Sequence, residues 1–246
     1  SCDSNEQKAK ENKSGKKQPN ILLVMVDDMG FTDTQPYGGE IYTPTISKLS
    51  KEGITFTDFH TSVSCSPTRS MLMTGTDNHL AGLGNMGELL SPNQVGQPGY
   101  ESFLNDDVVS LAEVLRQGGH HTYMSGKWHL GHKDEHVPGK RGFEKSFSLL
   151  NGGASHFADM SGLAPSEAIV EYTLNGKKIK ELSKDFYSTR SFTDYLISSL
   201  REKEDDKPFF AYLAYTAPHD PLHVPEPWLS NYKGVYDKGY ESLRKD

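Results

Sequence analysis

Residues Ile21 to Val26 form an unbroken apolar run, Ile-Leu-Leu-Val-Met-Val, that stops abruptly at Asp27-Asp28. A run this short and this apolar predicts a central parallel strand covered on both faces, because a half-exposed strand would alternate apolar and polar residues. Such strands need helical crossovers, so the expected fold is α/β. In open α/β sheets ligands gather beyond the carboxyl ends of the strands, which is where the two acids fall. Adjacent carboxylates there suit a hard divalent cation, or else a solvated strand end.

The stretch Thr61 to Gly75, T-S-V-S-C-S-P-T-R-S-M-L-M-T-G, concentrates the chemistry. Ser66 reads as an N-cap, Pro67 as the first helical residue and Gly75 as the stop. Cys65 then sits just before the helix, where first-turn N–H groups and the dipole favour an anion, with Arg69 over the same end. The plainer reading of a lone cysteine is a small buried hydrophobe.

The flanking segments read as a frame for these two. Thr43 and Pro44 predict a helix start, Ile46 and Leu49 its apolar side and Gly53 its end, and Ile54 to His60 then reads as a strand. Ala81 to Asn105 is rich in Gly, Pro, Asn and Ser and reads as loop, a wall of the site. Val108, Leu111, Ala112 and Leu115 have helical spacing, Gly118-Gly119 ends that helix, and His121 to Ser125 reads as a strand. It leads into Gly126-Lys127-Trp128-His129-Leu130-Gly131, where Lys127 and His129, two apart, face one way if the segment is extended. Gly152 to Lys184 is irregular with short strands. A helix containing Phe192, Tyr195, Leu196 and Leu200 runs to about Lys203, and Pro208 to Tyr215 is a strand that ends in Thr216-Ala217-Pro218-His219-Asp220-Pro221. His132, His136 and His223 are assigned to the surface or loops.

With 246 residues, 35% hydrophobic content and a net charge of −7, the chain gives no reason to expect nucleic acid as a ligand. Its cysteines are Cys2 and Cys65, and pairing them would tie a polar tail to the proposed site, so no structural disulfide is expected. Residues 1–18 read as a disordered tether and 19–246 as the folded part. Ser1-Cys2 before a polar linker resembles a bacterial lipoprotein start, with Cys2 as membrane tether and a periplasmic or cell-surface location. An ordinary disordered terminus is the alternative.

Cys65-Ser66-Pro67-Thr68-Arg69 matches C-x-P-x-R. Together with the acid pair, the G-K-x-H-x-G segment and the A-P-H segment, in this order, it resembles the sulfatase family, bacterial arylsulfatase type, within the alkaline phosphatase superfamily. The likeness covers nearly everything after Pro19. It implies a mixed, mainly parallel sheet with helices on both faces and hydrolysis of sulfate monoesters. It also implies that a separate maturation enzyme converts Cys65 to formylglycine. By the same resemblance Asp27, Asp28 and the Cys65-derived group hold calcium, and Arg69 orients the hydrated aldehyde. Lys127 and His219 contact the sulfate, and His129 assists at the formylglycine hydroxyl, with His219 the candidate acid. The family's Asp-Asn pair and second lysine have no counterpart here, so the chain is expected to be the N-terminal part, incomplete at the C-terminus. Phosphonate or phosphate ester hydrolysis and an inactive binding protein are the alternatives.

Overall fold

In a computed structural model that describes residues 17–165, 168–239 and 241, the apolar run forms β1 (Ile21–Asp27). Cys2 and the tether before Lys17 lie outside the described residues. The other strands are β2 (His121–Lys127), β3 (Lys145–Leu149), β4 (Tyr172–Leu174), β5 (Lys177–Ile179) and β6 (Phe209–Pro218). They form one sheet in the order β1-β6-β2-β3-β4-β5. The pairs β1/β6, β6/β2 and β2/β3 are parallel, and β4 and β5 are antiparallel additions.

The longer helices are α1 (Pro44–Glu52), α2 (Cys65–Thr74), α3 (Leu111–Gln117) and α4 (Ser188–Arg201). Strand β6 divides the core. Phe210, Tyr212 and Ala214 pack on one face with Met73 of α2 and Ala112 of α3, while Ala211 and Leu213 pack on the other with Phe192 and Leu196 of α4. Helices therefore cover both faces, as a parallel sheet requires. At Gly126, φ is +118° and a Cβ would lie 1.8 Å from the Ala214 carbonyl oxygen. Only glycine lets β2 and β6 approach so closely, immediately before Lys127.

Several expectations need correction. β1 lies at the end of the sheet order, not at its centre, and Leu22 and Val24 are 57% and 47% exposed because no described element covers that face. Ile54 to His60 is not a strand. Its side chains alternate, but among the described residues no strand lies beside it to satisfy its backbone, and Ile54, Phe56 and Phe59 are exposed. The segment Lys145–Leu149, not singled out by pattern, is β3. The helix expected from Val108 starts at Leu111, because Ser110 and Glu113 form a capping box: Glu113 N–H donates to Ser110 Oγ at 3.1 Å and Ser110 N–H to Glu113 Oε2 at 2.7 Å.

Candidate active site

Helix α2 begins two residues earlier than its sequence suggests. Ser64 is the N-cap, in extended conformation and without a side-chain cap bond, so Cys65 is the first helical residue, not the one before the helix. Pro67, third in the helix, has no N–H to leave unpaired, and Gly75 closes the other end in the left-handed region with its N–H on the Met71 carbonyl. The uncapped first turn aims its N–H groups outward beside the thiol.

Asp27, the last residue of β1, is buried and ion-paired on both oxygens. Arg69 Nη2 lies 3.1 Å from Oδ1, and Lys127 Nζ 2.6 Å from Oδ2. Arg69 is itself buried and reaches the Lys127 carbonyl at 3.0 Å and the Tyr212 hydroxyl at 3.4 Å, so one guanidinium ties α2 to the ends of β1 and β2 and to the interior of β6. Burial works against the Asp27 carboxylate, but Arg69 and Lys127 outweigh it and hold the acid below its usual range. Two buried cations face one buried carboxylate, so the floor of the site carries excess positive charge.

Ligand atoms of Asp27, Cys65 and His219 lie within 4.8 Å of one another. Asp28 has a left-handed backbone (φ 61°) and an exposed carboxylate 3.5 Å from His219 Nε2. Of the expected metal set Asp27, Asp28 and Cys65, the structure thus brings Asp27 and Cys65 together with His219, and leaves Asp28 at the rim. His219 Nδ1 lies 2.7 Å from the Asp220 carbonyl. A carbonyl only accepts, so Nδ1 carries a proton and Nε2 is the atom turned to Cys65 and Asp28. The hydrogen bond with Cys65, partly opposed by burial, raises His219 to about 9.

His129, expected to share a face with Lys127, sits beyond the end of β2 with φ 55°. It is 4% exposed, and its Nε2 lies 3.0 Å from Glu88 Oε1. Glu88 comes from a short 3-10 turn, Gly87–Leu89, inside the segment read only as a loop wall. Burial disfavours its charge, yet the His129 hydrogen bond and charge bring it down to about 2. A carboxylate can only accept, so Nε2 carries the proton and the Nδ1 lone pair remains, buried and with no nitrogen or oxygen partner among the described residues. The Cys65 thiol is also pushed up by burial, but His129, His219 and the Lys127 charge together bring it down to about 6.

Cys65, His129, His219, Glu88 and Asp28 open on a cleft of about 440 Å³ with an apolar wall that includes Val63, Met86, Leu89 and Leu163. Gly152 makes room for the dyad, since a Cβ there would lie 2.6 Å from Glu88 Oε1 and 2.8 Å from His129 Cε1.

A sulfatase family model matches residues 19–245. The chain belongs to the sulfatase family. It is 48% identical over 238 residues to an uncharacterized sulfatase of Schizosaccharomyces pombe, and 40% identical over 227 residues to an arylsulfatase of Klebsiella aerogenes. These matches cover 94% and 92% of this chain but 43% and 48% of the relatives, so the chain spans about half the length of the curated relatives it matches. Among solved structures, Ps i-CgsB in complex with k-i-k-neocarrahexaose superposes with a TM-score of 0.76 at 29% identity, over 92% of this chain and 51% of that one.

Two groups associated with sulfatases can be set against the residues present. In formylglycine an oxygen would replace the sulfur of Cys65, and the buried His129 Nδ1, without a nitrogen or oxygen partner among the described residues, could accept from a hydroxyl of the hydrated aldehyde. A divalent cation fits in kind, since carboxylates of Asp27 and Asp28 flank position 65. These donors alone fall short of the six to eight oxygens that calcium prefers.

Proposed function

We propose that this chain carries the nucleophile, acid and base of a sulfate ester hydrolase of the arylsulfatase type, with Cys65 converted to formylglycine by a separate maturation enzyme and a calcium ion held by Asp27, Asp28 and position 65. The observation that carries the proposal is the convergence on Cys65 of His219, the Glu88-oriented His129 and the Arg69–Asp27–Lys127 cluster. A hydrated aldehyde at position 65 would supply two hydroxyls, one to attack sulfur and one to release sulfate afterwards, and a bound cation would neutralise charge on the sulfuryl oxygens.

The chain's own residues do the rest. His219, whose Nδ1 proton is held by the Asp220 carbonyl, turns Nε2 toward position 65 and in its protonated form supplies the proton the departing alcohol needs. His129 takes a proton at Nδ1, and the Glu88 carboxylate across the ring stabilises the resulting imidazolium. Lys127 is fully buried on Asp27, so its ammonium acts on the sulfate from beneath, as does the Arg69 guanidinium that shares the carboxylate. Val63, Leu89 and Leu163 line the cleft and offer the leaving group an apolar surface. The proposal extends to Cys2 as a lipidated anchor in the periplasm or at the cell surface, supported by Ser1-Cys2 and the polar segment after it. Comparing turnover of matched aryl sulfate and phosphonate esters tests the reading. Faster phosphonate hydrolysis would replace it with the superfamily alternative.

A further inference from the structure

A second histidine stands behind His219, outside the cleft and without a place in the chemistry above. His156 is 2% exposed and lies where three segments meet: its own loop, the first turn of α4 and the end of β6. Its Nε2 is 3.2 Å from the His219 carbonyl, and its Nδ1 is 2.7 Å from Ser188 Oγ and 3.2 Å from Thr216 Oγ1. Thr216 Oγ1 donates in turn to Ser188 Oγ at 3.2 Å, and the Ser188 N–H donates to the His156 carbonyl at 2.9 Å.

The donors and acceptors of this cluster form a consistent set. The His219 carbonyl can only accept, so His156 Nε2 carries a proton. Burial lowers His156 and keeps it neutral, so Nδ1 is an acceptor. The proton order is then Thr216 hydroxyl to Ser188 hydroxyl to His156 Nδ1, and His156 Nε2–H to His219 C=O. Both hydroxyls are used, both ring nitrogens are used, and the tautomer is fixed. The His219 N–H meanwhile donates to the Thr216 carbonyl at 3.1 Å. The backbone of His219 is therefore held at both its N–H and its C=O, and its ring is pinned at Nδ1 by the Asp220 carbonyl.

We propose that His156 is a positioning residue that holds the His219 backbone from behind, so that Nε2 of His219 stays on the group at position 65. The inference rests on the reading of His219 as the acid that serves the leaving oxygen. A ring whose Cα shifts by a fraction of an ångström still fills its space but no longer meets that oxygen in line. Misplacing the acid should slow esters whose alcohols need a proton and spare those whose alcohols leave unaided.

The test uses His156→Ala, His156→Gln, whose amide reproduces the Nε2 donor, and Ser188→Ala, which removes the hydroxyl that fixes the tautomer. Steady-state rates are compared for a phenyl and a 4-nitrophenyl sulfate, in wild type and variants all converted at position 65 and extended with the segment that the relatives carry beyond the match. Expected for His156→Ala is a loss of kcat of about tenfold or more on the phenyl ester. The loss should be clearly smaller on the nitrophenyl ester, with KM nearly unchanged. Gln should recover much of the activity and Ser188→Ala should fall between. Equal losses on both esters would mean a merely structural role and would overturn the inference. If the wild type turns over neither ester, the reading of the site fails, and the positioning claim is judged separately by imidazole nitrogen NMR of the chain itself. His219 should show one sharp orientation in wild type and Gln, and broadened signals in Ala. Unchanged His219 signals in a folded His156→Ala would overturn the positioning claim whatever the activity.

Discussion

Replacing Lys127 with methionine keeps the stem that packs at the end of β2 and removes the ammonium 2.6 Å from Asp27 Oδ2. The partner left behind is buried and retains only Arg69 at 3.1 Å. Stranding a partner of a buried ion pair costs about 3–5 kcal/mol, and the surviving Arg69 contact puts Lys127→Met at the lower end, about 3 kcal/mol. Asp27→Asn should cost at least as much, because it leaves Arg69 and Lys127 buried against each other with no carboxylate between them. The double variant should then be more stable than the sum of the single losses predicts, by about 2 kcal/mol. With an m-value of about 3 kcal/mol per molar urea, the Lys127→Met midpoint falls by about 1 M. Because the Asp27 carboxyl is held below its ordinary value, its contribution is complete above the unfolded carboxyl range and is lost as pH falls through the lowered folded value. The gap between wild type and Lys127→Met should therefore be flat from pH 6 to 8. Urea titrations of the four proteins decide the matter. Losses that add to within about 0.5 kcal/mol would show that the ion cluster is not one coupled unit.

Further outcomes follow from the same geometry. Glu88→Gln keeps an acceptor for His129 but removes the charge, so kcat on an aryl sulfate should drop by about tenfold or more with little change in KM; an unchanged kcat would remove Glu88 from the site. At the opposite end of the sheet, His121 lies 2.7 Å from Glu144 Oε2 and 3.0 Å from Asp205 Oδ1, and the Glu144 bond, partly opposed by desolvation, raises its pKa. Its stabilising effect is full below the unfolded histidine value and disappears as pH rises through the raised folded one, so His121→Gln should lower Tm at pH 5.5 and leave it unchanged at pH 9.5. The 246-residue chain should bind calcium weakly in calorimetric titration and turn over aryl sulfate poorly even after conversion of Cys65. Extending it with the segment that its relatives carry beyond the match should restore both, and tight binding by the 246-residue chain would show that it supplies its own remaining ligands.

Much of the site was readable because its residues sit at the ends of strongly patterned elements. Asp27 ends an apolar run, Lys127 ends β2 and His219 follows β6, and parallel strands bring such ends to one edge of the sheet. Cys65 and Arg69 share a helix whose Gly75 stop was plain in the sequence. Glu88 and His156 were not readable, since both lie in segments without periodicity and meet the site only through contacts 41 and 63 residues apart in the chain. A loop wall does not announce which of its carboxylates turns inward. The strand expected at Ile54 to His60 failed for a related reason: alternation marks a segment that could pair, and pairing needs a neighbour that local sequence does not specify. The same limit explains β1, whose apolar run reads as central although Leu22 and Val24 face outward with nothing described against them.

The most direct test of the account concerns position 65. The chain, extended as above and produced together with a formylglycine-generating enzyme, is assayed for sulfate release from an aryl sulfate beside Cys65→Ala, with unfolding curves recorded for both. The account predicts turnover that depends on an aldehyde at position 65, an inactive Cys65→Ala and nearly identical unfolding curves, because the half-buried thiol is present for its reactivity and contributes little packing. Sulfate release that survives in Cys65→Ala would contradict the central claim.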